Sequence, residues 1–384
     1  MDEIAISEPA SPREPVTGDP RGRASRQALL LVLGVLYGNG EYDALLADLG
    51  AERDLFDLPD PRPGGAFRLA DEMPRLVERH AMLPPFDPFA PRDEAAIAAQ
   101  AAARQAVMDE MTATLYDSAD RRVALDLLLL ALGHPGASER AAAAISLLDM
   151  VSDPALPIAT LAEVVEEDAD PLAVRMARTA LARLGRLPAP AGQGRSATPP
   201  SAPAAAAPDA LIVHGTHFAR VGTPHSDWWQ PSGLFHDYIL RNHCPGLYAA
   251  PDFFSWSGGW SDHARHAGAR HLSAWILARG LSRPDILAHS HGGSVAMHGS
   301  SLGLHLNRLV LMSCPVHRGH YAPDPSRIAA VTSYQIHMDF VVLADRGAFR
   351  FRLRHVHDRY LGRWFWSHGD SHDPALWQAE GLSL

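Results

Sequence analysis

The string Asp285-Ile-Leu-Ala-His-Ser290-His-Gly-Gly-Ser-Val-Ala-Met297 passes from a strand pattern to a helix pattern with no loop between them. A short apolar run ends in one serine held between two histidines. Two glycines follow, and the text at once becomes helical. So tight a reversal brings strand and helix backbones nearly into contact, and the residues two places either side of the turn must be small. Ala288 and Gly292 meet that need. A strand that feeds directly into a helix belongs to alternating strand–helix construction, which constrains the fold of the surrounding chain.

The neighbouring text keeps that alternation. Apolar strand patterns fall at 210–213, 247–254, 285–288, 308–312, 332–337 and 364–366, and helical patterns fall at 265–279 and from Gly293 onward. Asp373-Pro374 reads as cap and first residue of a last helix. The segment Phe349-Arg-Phe-Arg-Leu-Arg354 alternates and predicts an amphipathic strand whose arginines form a solvated face. Residues 209–384 are therefore expected to be α/β, a doubly wound and mostly parallel sheet. Such sheets carry their sites at the carboxyl ends of the strands.

Upstream the text changes. Residues 187–208, LPAPAGQGRSATPPSAPAAAAP, carry one charge and are dense in Pro and Ala, the composition of a semi-rigid linker. Residues 1–208 hold 31 acidic and 19 arginine side chains, a net −12; residues 209–384 hold 13 and 15, a net +2. Nineteen of the 21 histidines follow the linker. The chain divides into a disordered tail at 1–25, an all-helical part at 26–186, the linker, and the α/β part at 209–384. Within the helical part, 120–132 is apolar on most sides and predicts a buried helix. His134-Pro-Gly-Ala-Ser-Glu-Arg140 and Asp168-Ala-Asp-Pro-Leu-Ala-Val-Arg175 each open an Ala-rich helix, a pattern that resembles a degenerate HEAT-type repeat.

Composition excludes several functions. A net charge of −10 argues against general nucleic-acid binding. The two cysteines, Cys244 and Cys314, exclude a disulfide framework and an all-Cys zinc site. The chain has no lysine, so no mechanism that needs one is open to it. No apolar run reaches the roughly 18 residues of a membrane span. The run at 28–37, behind Arg21, Arg23 and Arg26, imitates a secretory leader. Acidic residues precede it and no small-residue cleavage site follows, so a cytoplasmic location is expected. Histidine pairs at 263/266, 289/291, 317/320 and 355/357 lack the context of a metal motif, and no metal or cofactor is expected.

The string around Ser290 has the features of a nucleophile elbow. Residues 209–384 resemble the α/β-hydrolase superfamily, close to its lipase and esterase branch, with Ala288 where glycine is usual. The resemblance implies a serine hydrolase acting on an ester, with Ser290 as nucleophile. Family order is serine, acid, histidine, which assigns Asp339 as acid with Asp345 as its alternative. The base is His368, in the loop before the last helix, with His372 as its alternative. The strand Ala-Leu-Ile-Val-His214-Gly-Thr216 matches the loop that supplies one oxyanion amide, giving the backbone N–H groups of Thr216 and His291 as donors. Trp228, Trp229 and Trp256 are expected to form an aromatic wall for a hydrophobic or lipid-like acyl group.

The rival function is a hydrolase fold kept as a non-catalytic scaffold or interaction protein. Between the strand at 308–312 and the strand bearing Asp339 there is room for one short helix at 325–330, not for a lid of several helices. The strongly acidic helical part is therefore expected to dock over or beside the site, on the arginines of 346–363. There it would limit access or recruit a protein partner.

Overall fold

The structure, a computed structural model, describes residues 20–56, 58–72, 94–167, 170–186, 209–216, 228–364 and 367–384. Most of the expected tail, the whole linker and residues 365–366 lie outside these.

Among the described residues seven helices precede the sheet: α1 Pro20–Tyr37, α2 Asp43–Phe56, α3 Glu94–Ser118, α4 Arg121–Ala131, α5 Ala137–Met150, α6 Ala155–Glu167 and α7 Pro171–Arg183. Local chemistry sets their starts. Asp120 caps α4 by accepting from the Arg122 amide, and Asp170 caps α7 by accepting from the amides of Leu172 and Ala173 ahead of Pro171. The buried helix expected at 120–132 is α4, whose residues from Val123 to Ala131 are all buried. α1 starts within the expected tail.

The α/β part runs β1 Ala210–Val213, α8 Leu234–Asn242, α9 Asp262–Ala278, β2 Asp285–His289, α10 His291–Ser301, β3 Leu306–Met312, β4 Ile328–His337, α11 Phe340–Ala344, β5 Val356–Trp364, a 3-10 turn His368–His372 and α12 Pro374–Ala379. The five strands form one sheet in the order β1-β2-β3-β4-β5, every neighbour parallel. The order runs without the reversal of a doubly wound sheet, because each crossover steps to the next strand in the same direction. Alternation along the strands builds two apolar layers. Ile212, Leu287, Val310 and Ile336 face a layer shared with Phe235 of α8 and Trp377 of α12. Leu211, Ile286, Leu309 and Val331 face a layer that continues through α9, α10 and α11 into the N-terminal helices.

Four local expectations change. Residues 247–254 form no strand; only Leu247 bridges to Ala210, because Pro251 has no amide to donate and Asp252 instead binds Arg279 and Tyr248. Residues 325–330 hold a turn and the start of β4, not a helix. The last strand begins at Val356 and ends at Trp364. Residues 349–354 are irregular: Arg352 has φ 52°, and the Asp358 carboxylate accepts from the amides of Phe351 and Arg352.

The arginines of that segment do not face solvent alone. Arg350 and Arg352 bind Asp48 of α2, a carboxylate that is fully buried and also accepts from the Phe349 and Arg350 amides. Arg346 is buried against α1 and α5: its Nε donates to Asp149 at 2.7 Å and its Nη1 to the Leu31 carbonyl at 2.9 Å. α1 and α7 pack on α11. The acidic helical part thus lies against the α/β part through paired charges and a shared apolar layer.

Candidate active site

β2, β3 and β4 each run into a residue with left-handed backbone: Ser290 at φ 52°, Ser313 at φ 47° and Met338 at φ 49°. None is glycine, and each such residue costs on the order of 1–3 kcal/mol. The strain lies at the carboxyl edge of the sheet.

Ser290, with ψ −132°, joins β2 to α10 directly. The junction is as crowded as the sequence requires. A Cβ on Gly292 would meet the carbonyl oxygens of His214 and Val213 at 2.5 and 2.6 Å. A Cβ on Gly215 would lie 2.7 Å from that of Ser290. The loop after β1 is therefore pressed against the serine, with Thr216 next in the chain. His291 is the first residue of α10, so its amide is among those a helix leaves without an internal partner. His214 and Trp256 fasten this loop: the Trp256 indole donates to the His214 carbonyl at 2.7 Å, and the His214 ring reaches the Gly215 carbonyl and the Ser255 hydroxyl.

Met338 turns the end of β4 so that Asp339 caps α11. Its Oδ1 accepts from the amides of Val341 and Val342, and its Oδ2 bonds the Nδ1 of His368 at 2.7 Å. Both side chains are buried. His368 opens the 3-10 turn after β5, and its ring lies 4.8 Å from that of His289, the residue before the serine. Among the described residues neither the Ser290 hydroxyl nor the Nε2 of His368 makes a hydrogen bond.

The other two acid and base positions are engaged elsewhere. Asp345 accepts from the Nε2 of His291 at 2.9 Å and the Nε2 of His317 at 2.6 Å. Burial raises its carboxyl, but the two imidazoles outweigh that and hold it well below the usual carboxylate range. His291 is lowered by burial, with Asp345 acting the other way. His372 lies flat on Trp228, ring centroids 3.9 Å apart, and burial with the charge of His368 pushes it down to about 3. His289 is held well below its ordinary value by burial, then by His372 and His368. Of the three tryptophans, Trp228 is half-buried beside His372 and His289. Trp229 packs on His214, and Trp256 is a core residue behind the loop, 5% exposed.

Two partners escaped the sequence reading. His317 shares Asp345 and lies outside every local motif. Arg175, on α7, adds to the lowering of His289 and His372, behind burial and the neighbouring histidines. Among the described residues no three His, Cys, Asp or Glu side chains converge as metal ligands, and no helix is long and apolar enough to cross a membrane. No protein-family model matches the chain, and no curated protein sequence matches it significantly.

Proposed function

We propose that the protein is a serine hydrolase of the α/β-hydrolase type that cleaves carboxylic esters. The observation that carries this reading is the strained Ser290 at a strand–helix junction beside a buried Asp339–His368 pair. A serine in relaxed backbone with a hydrogen-bonded hydroxyl would be ordinary; this one is held under strain.

In this reading Ser290 Oγ attacks the ester carbonyl while His368 Nε2 takes its proton. Asp339 holds the Nδ1 proton, which fixes the tautomer and balances the imidazolium that forms. The amides of His291 and Thr216 face the oxygen that becomes negative, aided by the amino end of α10. His368 then returns the proton to the leaving alcohol. Water repeats the sequence on the acyl-serine, releasing the acid. Asp345 and His372 are not the acid and base, since one is shared by two other histidines and the other is kept neutral in an aromatic stack.

The test is labelling with a fluorophosphonate together with hydrolysis of p-nitrophenyl esters of graded chain length. Adduct formation on Ser290, absent in Ser290→Ala, is the expected result. A folded protein that neither labels nor turns over any ester would leave the hydrolase fold as a scaffold.

A further inference from the structure

Serine and base come from different strands, and among the described residues no hydrogen bond joins the Ser290 hydroxyl to His368. Ser290 follows the end of β2, and His368 opens the turn after β5. Asp339 fixes the ring of His368 through Nδ1, but it reaches the base from the end of β4 and leaves its distance from the serine open. Alignment of the two reacting atoms therefore depends on what ties the backbone of the turn to that of β2.

His289, the residue before the nucleophile, makes that tie. Its Nε2 lies 3.2 Å from the main-chain carbonyl oxygen of His368. A carbonyl only accepts, so Nε2 carries the proton and donates it. Among the described residues this is the one hydrogen bond between 285–290 and 367–372. The Ser371 hydroxyl also donates to the His368 carbonyl, at 3.2 Å, but from within the turn, so it shapes the turn without placing it.

The imidazole is itself firmly held. Its backbone ends the β2–β3 ladder, opposite Met312. Its Nδ1 faces the loop after β1, where a Cβ on Gly215 would come within 3.1 Å of it. The rings of His372 and Trp228 stand edge-on to it, with centroids at 4.7 and 5.5 Å. Burial keeps His289 neutral, so it donates without adding a second positive charge beside the base. Position matters steeply here: moving a catalytic group by ~1 Å can cost about 100-fold in rate.

We propose that His289 is a positioning residue: its Nε2–H holds the main chain of His368 and sets the turn that carries the base against the strand that leads into Ser290. The proposal deepens the hydrolase reading and rests on it. An apolar side chain would fill the same space; the imidazole is needed for the reach of its far nitrogen.

The test uses the full-length protein and three substitutions. Met fills the space without a donor. The Gln amide nitrogen reaches the place of Nε2, whereas that of Asn stops near the place of Nδ1. Two readouts are taken, steady-state hydrolysis of a neutral p-nitrophenyl ester and the low-field proton resonance of the His368 Nδ1–H. His289→Met and His289→Asn should lose roughly 10- to 100-fold in kcat with KM within about twofold, and their low-field resonance should broaden. His289→Gln should recover most of kcat and keep a sharp resonance. If His289→Met keeps its kcat, or if His289→Gln loses as much as His289→Met, the proposal is overturned. If Met and Asn both unfold where Gln folds, the bond serves the fold rather than the base, and the proposal falls as well. If the wild type turns over no ester, yet the resonance is sharp in wild type and Gln and broad in Met and Asn, the hydrolase reading fails and the placing of His368 by His289 stands.

Discussion

Asp339 and Asp345 lie six residues apart on either side of α11, both buried and both bonded to histidine. They do different work because of where their oxygens go. Asp339 spends one oxygen on the amides of α11 and the other on a single imidazole nitrogen. It is rigidly held, and it leaves the far nitrogen of His368 open. Asp345 directs one oxygen to two imidazoles, and both bonds consume an Nε2. His291 is left with a buried Nδ1 that has no hydrogen-bond partner among the described residues. In the proposed reaction the first arrangement prepares a base; the second ties His291 to the loop after β3.

The sharpest break between them is kinetic. Ser290→Ala and His368→Ala should each lower kcat by roughly 10⁴- to 10⁶-fold, with Tm nearly unchanged for the serine variant. Asp339→Asn should cost roughly 10³- to 10⁴-fold, because an amide cannot hold His368 in the donating tautomer. Asp345→Asn should lose less than about tenfold in kcat and instead lose stability, since two histidines lose a charged acceptor. Steady-state kinetics beside thermal unfolding separates the two. If Asp345→Asn is the dead variant, the assignment of the acid is reversed.

A break of intermediate size lies one residue further on. Arg346, at φ 57°, follows Asp345 and turns away from the α/β part to bind Asp149 and the carbonyls of α1 and α5. Tyr42 and Arg183 complete the cage around Asp149. Arg346→Ala removes the principal counter-ion of a buried carboxylate and should destabilise the protein by about 3–5 kcal/mol, measured by denaturant unfolding. The double variant Arg346→Met/Asp149→Leu should recover much of that. A single variant that unfolds like the wild type would mean the two halves do not fold together.

How much of this the sequence carries depends on how local the cause is. The Ser290 elbow is readable because small residues, strand and helix are contiguous. The strands β2 and β3 are readable because they are apolar and short, whereas β4, with Thr, Ser and Gln along it, is readable only over 332–337. Asp339 and His368 were placed by their order after the elbow, and the structure brings them together. What could not be read depends on distant partners. Arg350 and Arg352 look like an exposed stripe until Asp48, far upstream, is placed beneath them. The run at 247–254 looks like a strand until Pro251 leaves it one bridge. Arg140 and Arg175 look equivalent in sequence, yet Arg140 has Glu167 and two carbonyls within reach and the Arg175 side chain makes no hydrogen bond or ion pair among the described residues.

The smallest effect concerns the third histidine of the site, and it sharpens the comparison from the side of charge. His372 is neutral in the fold, held at about 3 by burial and by His368, while in the unfolded chain it titrates near 6.5. Above pH 6.5 neither state holds the proton and the group has no pH effect. Below it the unfolded chain takes up a proton that the folded one refuses, so stability falls until the folded value is reached. His289, depressed in the same direction, adds to the slope. Asp345 is also depressed, but its loss begins only near the ordinary carboxylate value of 3.8. Acid sensitivity that starts near pH 6.5 therefore comes from the depressed histidines, His372, His289 and the Asp345-bound His291 among them, and sensitivity that starts near pH 4 comes from Asp345. His372→Phe keeps a ring on Trp228 and removes the titration. It should recover about 2 kcal/mol of the stability the wild type loses between pH 6.5 and 4.5. Urea unfolding at a series of pH values reads this directly. Equal slopes for the two proteins would mean that His372 takes up its proton in the fold as easily as in the open chain.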